Sequence, residues 1–118
     1  MSKRDTLLLL DDMLQSVQKI KQYTKGFDYK EFLMDNKTID AVVRNFEIIG
    51  EAANRIDPDF RDQNPEIEWT RIRGFRNRIV HDYFGIDHEI IWNIIDTYLD
   101  ELTDRLEAII KDFKATSP

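Results

Sequence analysis

No cysteine occurs in this chain of 118 residues, so disulfides and thiol chemistry are excluded, and a thiolate zinc site has no ligands to draw on. The two histidines do not make up that shortfall, and the composition suits a reducing cytoplasm. Proline and glycine are sparse, at three and four residues, and no Gly/Ser linker, low-complexity tract or internal repeat interrupts the chain. Long apolar runs are missing too. Near the N-terminus the longest is Leu7 to Leu10, too short for a signal peptide or a membrane span. A soluble cytoplasmic protein without membrane association or cofactor is expected. Basic residues are outnumbered, 17 against 23 acidic, for a formal net charge of -6. The mean field therefore repels nucleic acid, and any contact with RNA or DNA has to be local. The length fits one domain, residues 1–118, with a moderate core.

What the chain does have is helical spacing. Leu8, Leu9, Met13, Ile20 and Tyr23 share a broad face and predict a first helix over about residues 4–23, ended by Gly26. Asp28 with Glu31 three positions on has the capping-box pattern and predicts a short helix. Ile39, Val42, Val43, Phe46, Ile49, Ala53 and Ile56 predict a long one from about Thr38 to Arg55. Gly50, inside it, either permits close approach of another backbone or is merely tolerated. Pro58 and Pro65 then bracket a turn-rich connection.

A third long stripe runs from Trp69 through Ile72, Phe75, Ile79 and Val80 to Tyr83 and stops at Gly85. The last helix is expected from Asp87 to about Phe113. Strands are poorly supported, because β-branched residues recur at three and four rather than two. The expected fold is all-α, an up-and-down four-helix bundle with a short additional helix. The apolar face of the last helix is wide and long for so small a bundle. Either it completes its core in a homodimer, or a long helix simply carries a long stripe.

Against the acidic background stands "RGFRNRIVHDY", residues 73–83, and with Arg71 the segment from Trp69 meets no acid before Asp82. On an ideal helix with Ile72 as origin, Arg76 lies at about 40°, inside the apolar sector, and His81 at about 180°, on the face opposite the core. An arginine so placed needs a carboxylate such as Glu47 or Glu51, backbone carbonyls, a wet pocket or a subunit boundary. Asn77 and His81, four apart, are placed to approach each other. Arg73 borders that face, and Arg71 and Arg78 flank the other side. Joint action of Arg76 and His81 needs a kink near Val80, the reach of the arginine, or a second subunit. Spacing alone also fits an ordinary surface histidine.

"RNRIVH" with Tyr83 reads Arg-x4-His-x-Tyr, and "RNFEIIGEA" at 44–52, "WTRIRGFRNRIVHDYFGID" at 69–87 and "IIWNIIDTYLDEL" at 90–102 accompany it in order. Together they resemble the HepT-like family of small HEPN-domain proteins over nearly the whole chain. The resemblance implies a dimerising all-α bundle that brings two motif copies to a shared cleft. It also implies a metal-independent endoribonuclease, the toxin of a toxin–antitoxin pair whose antitoxin is a minimal nucleotidyltransferase. The family's arginine falls on Arg76, its following polar residue on Asn77 and its histidine on His81. Its tyrosine, which receives AMP from the partner enzyme, falls on Tyr83.

On that footing RNA is cut by its own 2′-hydroxyl, with His81 moving a proton, Arg76 holding the phosphate and Asn77 orienting one of them. Arg73 and Arg78 would bind substrate. His88, at the start of the next helix, is a spare histidine that reads as surface or cap. Tyr83 is either the AMP acceptor or a structural tyrosine. A competing function is a non-catalytic helical module that docks the nucleotidyltransferase and assists nucleotide or substrate binding.

Overall fold

Ser2 starts the first helix, its hydroxyl accepting the Asp5 backbone N–H at 3.1 Å, and α1 runs Lys3–Thr24. Its apolar face, with Leu10, Met13, Val17 and Ile20, is fully buried. Gly26 follows at φ 80°, a left-handed conformation that ends a helix at least cost when the residue is glycine. In the computed structural model, which describes residues 1–81 and 85–116 and only the backbone of His81, α2 is Tyr29–Leu33. Its capping box is complete. Asp28 accepts from the Glu31 N–H at 2.7 Å and Glu31 accepts from the Asp28 N–H at 3.1 Å. The third helix, α3, spans Asn36–Arg55 behind the N-cap Asp35.

Two expected irregular or continuous stretches turn out differently. The connection between Pro58 and Pro65 contains a helix, α4, Pro58–Gln63. Proline's fixed φ suits the first helical position, and Asp57 caps the Asp59 N–H at 3.0 Å. The third long stripe is divided into α5, Trp69–Arg73, and α6, Phe75–Ile79. It then gives way to a small antiparallel hairpin, β1 Val80–His81 and β2 Gly85–Ile86, with Val80 opposite Ile86 and His81 opposite Gly85. Val80 is already extended at φ -104°, ψ 114°. The hairpin is two residues deep, too short to show an alternating pattern.

The last stretch is α7, His88–Thr97, and α8, Leu99–Ala115, bent at Tyr98 (φ -126°). The hydrogen-bond ladder passes through that bend, from Tyr98 N–H to Ile94 and from Leu102 N–H to Tyr98. Eight helices thus make an all-α bundle among the described residues. In it α1 packs on α3 and α8, α2 on α3, α3 also on α5 and α6, and α6 on α7. Leu99, Leu102, Leu106, Ile109 and Ile110 of α8 are all buried within the chain itself, so that stripe does not by itself call for a second copy. Among the described residues no helix is long and apolar enough to cross a membrane.

The contact that positions α5 is one of backbone against backbone. A Cβ on Gly50 would lie 3.3 Å from the Ile72 carbonyl oxygen and 3.8 Å from that of Arg73. Close approach, rather than mere tolerance, therefore accounts for a glycine inside α3. Gly50→Leu is expected to force α5 from α3 and cost about 1–3 kcal/mol. In chemical denaturation this appears as a lower midpoint at unchanged slope; an unchanged midpoint would show that the helices do not meet there.

Candidate functional site

The arginine-rich helix is held from below by aromatic packing. Phe75, fully buried, meets Phe46 of α3 edge-on at 5.2 Å and Tyr98 at 6.4 Å, and Ile79 is buried one turn later. Such edge-to-face pairs add about 0.5–1.5 kcal/mol to the area they bury. At Gly74 the backbone has φ -88°, ψ 0°, whereas a regular helix holds ψ near -42°. Gly74 N–H still reaches Thr70 at 3.1 Å, and Arg78 N–H reaches Gly74 at 3.1 Å. Residues 69–79 are therefore one kinked helical path.

The kink overturns the placement of Arg76. The ideal wheel sets it in the apolar sector, but the altered ψ at Gly74 rotates the following turn, and Arg76 is exposed together with Asn77 and Arg78. It is not paired with Glu47, which lies 3.7 Å from Arg44, nor with Glu51, which is exposed on α3. Among the described residues none of the three consecutive side chains makes a hydrogen bond or ion pair. Two cations and an amide are thus offered to solvent within a chain of net charge -6.

Beyond Ile79 the helix geometry ends, so the opposite-face placement of His81 and its helical approach to Asn77 are also set aside. The backbone turns extended at Val80, and a break there is one of the three routes to joint action of Arg76 and His81. Asp87 N–H donates to the Ile79 carbonyl at 2.7 Å, tying the hairpin's return to the end of α6. The His81 side chain and Tyr83 lie outside the described residues. His88 begins α7 half-buried, and its neighbour Asp87 is the cap, accepting from the Ile90 N–H at 3.1 Å.

The remaining arginines are anchored elsewhere. Arg73 is exposed and donates from Nε to Asn54 Oδ1 of α3 at 3.1 Å. Arg71 lies 3.3 Å from Glu68 and places its guanidinium carbon 3.9 Å from the Tyr98 ring centroid, a cation–π arrangement. Burial, and then the Glu68 charge, push the Tyr98 hydroxyl well above the ordinary tyrosine range. The Glu68 partner is readable from its three-residue spacing to Arg71. Asn54, 19 residues before Arg73, is not, because no local pattern links them. Among the described residues no three His, Cys, Asp or Glu side chains are grouped to hold a metal ion.

The family described as "Ribonuclease HepT-like" matches residues 13–109, a span that holds the kinked helix, the hairpin and most of α1 and α8. The chain belongs to the ribonuclease HepT-like family. Among its relatives, "Putative RNase MJ1380" of Methanocaldococcus jannaschii is 38% identical over 109 residues, covering 92% of this chain and 100% of the relative. "Probable ribonuclease HepT" of Thermococcus cleftensis is 34% identical over 109 residues, with 92% and 99% covered. "Putative RNase TTE0752" of Caldanaerobacter subterraneus is 32% identical over 105 residues, with 89% and 94% covered. No solved structure matches. Because both sequences are spanned almost end to end, the HepT-like relationship concerns the whole bundle rather than the short motif alone.

Proposed function

We propose that this HepT-like protein is a metal-independent endoribonuclease, the toxin of a toxin–antitoxin pair, silenced when a cognate nucleotidyltransferase adds AMP to Tyr83. The observation that carries the reading is the exposed run Arg76–Asn77–Arg78, unpaired among the described residues and ending three residues before His81, in an acidic chain of a ribonuclease family. An unpaired guanidinium on an otherwise repulsive surface is a confined phosphate site.

The 2′-oxygen attacks the adjacent phosphorus, the bond to the 5′-oxygen breaks, and the products carry a 2′,3′-cyclic phosphate and a 5′-hydroxyl. One imidazole takes the 2′-hydroxyl proton while an acid returns one to the leaving oxygen. His81 fills the first role, and His81 of a second copy fills the other in a homodimer. Arg76 holds the phosphate as negative charge grows on its oxygens, with Asn77 orienting it and Arg73 and Arg78 gripping the strand. AMP on Tyr83 would set a bulky anion near these cations and compete with RNA phosphate.

Purified protein, shown unmodified by intact mass, is expected to cut mixed RNA in EDTA and to leave cyclic-phosphate ends. No cleavage would shift the assignment to a module that docks the nucleotidyltransferase. Incubation with that enzyme and ATP is expected to add one AMP to the wild type and none to Tyr83→Phe, with cleavage falling as the modified fraction rises. An unmodified wild-type chain would remove Tyr83 from regulation.

A further inference from the structure

Between α4, the connection at 64–68 and α5 lies a cavity of about 590 Å³ whose lining includes Arg61, Arg71, Arg73, Thr70 and the acids Asp62 and Glu68. The hollow is open to solvent, and its volume is of the size that takes an organic ligand rather than a lone ion. Each arginine is fixed by contacts within the chain. Arg61 donates from Nη1 to the carbonyls of Ala53 at 3.0 Å, Asn54 at 3.4 Å and Ile56, capping the C-terminal end of α3. Arg71 is pinned over the Tyr98 ring and against Glu68. Arg73 is held through Nε by Asn54, which leaves its two terminal nitrogens without partners among the described residues. Glu68 is answered by Arg71, so Asp62 alone opposes Arg61 and Arg73. Three guanidinium groups against two carboxylates make a cationic hollow in an acidic chain, and their anchoring lowers the ordering cost of gripping an anion.

We propose that this cavity holds the RNA nucleotide adjoining the cleavage point, its phosphate on the free end of the Arg73 guanidinium, with Arg61 and Arg71 framing it and the exposed Thr70 hydroxyl at the rim. The inference rests on the ribonuclease reading and adds that the enzyme needs more than the scissile phosphate. Arg73 precedes Arg76 by three residues across the Gly74 kink, at most about 10–11 Å of chain. One strand therefore reaches both. The Trp69 ring is buried and its Nε1 donates to the Asn64 carbonyl at 2.9 Å, so the cavity grips through charge and hydrogen bonds rather than through base stacking on that ring.

The test compares a dinucleoside monophosphate, which contains only the scissile phosphate, with a short oligoribonucleotide. The proteins are wild type, Arg73→Ala and Thr70→Glu, the last placing an acid in the cavity without removing an internal bond. On the oligonucleotide kcat/KM is expected to fall by about tenfold or more in both variants, the size of one lost charge-assisted hydrogen bond. On the dinucleoside, which does not reach the cavity, Thr70→Glu is expected to leave it unchanged. Equal losses on both substrates in Thr70→Glu, or none on the oligonucleotide, would overturn the assignment. Fluorescence anisotropy of an oligonucleotide with a 2′-deoxy residue at the cleavage point separates binding from chemistry. Its Kd is expected to rise about tenfold in both variants, and its salt slope to fall by about one in Arg73→Ala. If the wild type cuts nothing, the ribonuclease reading fails while this binding arm still decides the cavity, and an unchanged Kd in both variants overturns it.

Discussion

His81→Ala is expected to lower the rate of RNA cleavage by about 10²–10⁴-fold, the usual contribution of a positioned general acid or base. Imidazole ordinarily titrates near pH 6.5, so it takes and returns protons at neutral pH without a large environmental shift. The substitution leaves the hairpin's pairing with Gly85 available, because that pairing is made by backbone. Loss of activity at unchanged helical circular dichroism and unchanged oligomeric state thus reports on chemistry. If both proton transfers are made by His81 side chains of two subunits, kcat/KM follows a bell-shaped pH profile whose two limbs vanish together in the variant. Mixing inactive His81→Ala with wild type supplies a further arm, since hybrid dimers keep one imidazole and lose the acid–base pair. His88→Ala is expected to keep its activity, as His88 begins α7 behind the Asp87 cap. Undiminished cleavage by His81→Ala, or loss in His88→Ala, would reassign the proton transfer.

Local rules were enough for the elements whose own residues decide them. The spacing of Leu9, Met13 and Ile20 made α1 legible, the Asp28–Glu31 pair made α2 legible to its capping bonds, and of the two readings Gly50 left open the structure shows the close approach. The same rules failed where one residue's backbone changed the frame. A wheel assumes about 100° for every residue, and a ψ of 0° at Gly74 breaks that assumption just before the residues of interest. Phe75 and Ile79 kept their place in the core and Asn77 its place at the surface, whereas the apolar-sector Arg76 and the helical His81 did not hold. The stripe of the last helix carried two readings, a homodimer face and a long helix's own stripe, and Leu99, Leu102 and Leu106 are buried within the chain itself. Its partners are α1 and the rest of the core, and a one-dimensional pattern does not count how much apolar surface the other helices leave to be covered. The order of Arg76, Asn77, His81 and Tyr83 is read directly from the sequence, and their chemical roles belong to the proposed function. The anchoring of Arg73 by Asn54 was not legible there, because it depends on α3 and α5 meeting.

The exposed position of Arg76 sharpens what its removal should do. A buried arginine paired with Glu47 or Glu51 would cost about 3–5 kcal/mol on truncation, by leaving an uncompensated carboxylate. An exposed, unpaired one lies in the class of surface substitutions that change stability by about 0.5 kcal/mol or less. Arg76→Ala is therefore expected to lower kcat/KM by about 10²–10³-fold, the effect of removing one donor to developing transition-state charge, with a nearly unmoved denaturation midpoint. Arg76→Lys restores charge but not the planar fork, so it should recover RNA affinity more than turnover. Arg78→Ala, losing a neighbouring cation without the motif position, should weaken binding more than kcat and reduce the salt dependence of binding. A large loss of stability in Arg76→Ala would show that the side chain is structural after all. Full activity in a stable Arg76→Ala protein would place the phosphate elsewhere, and the exposed arginine run would then serve to attract the strand rather than to hold its reacting phosphate.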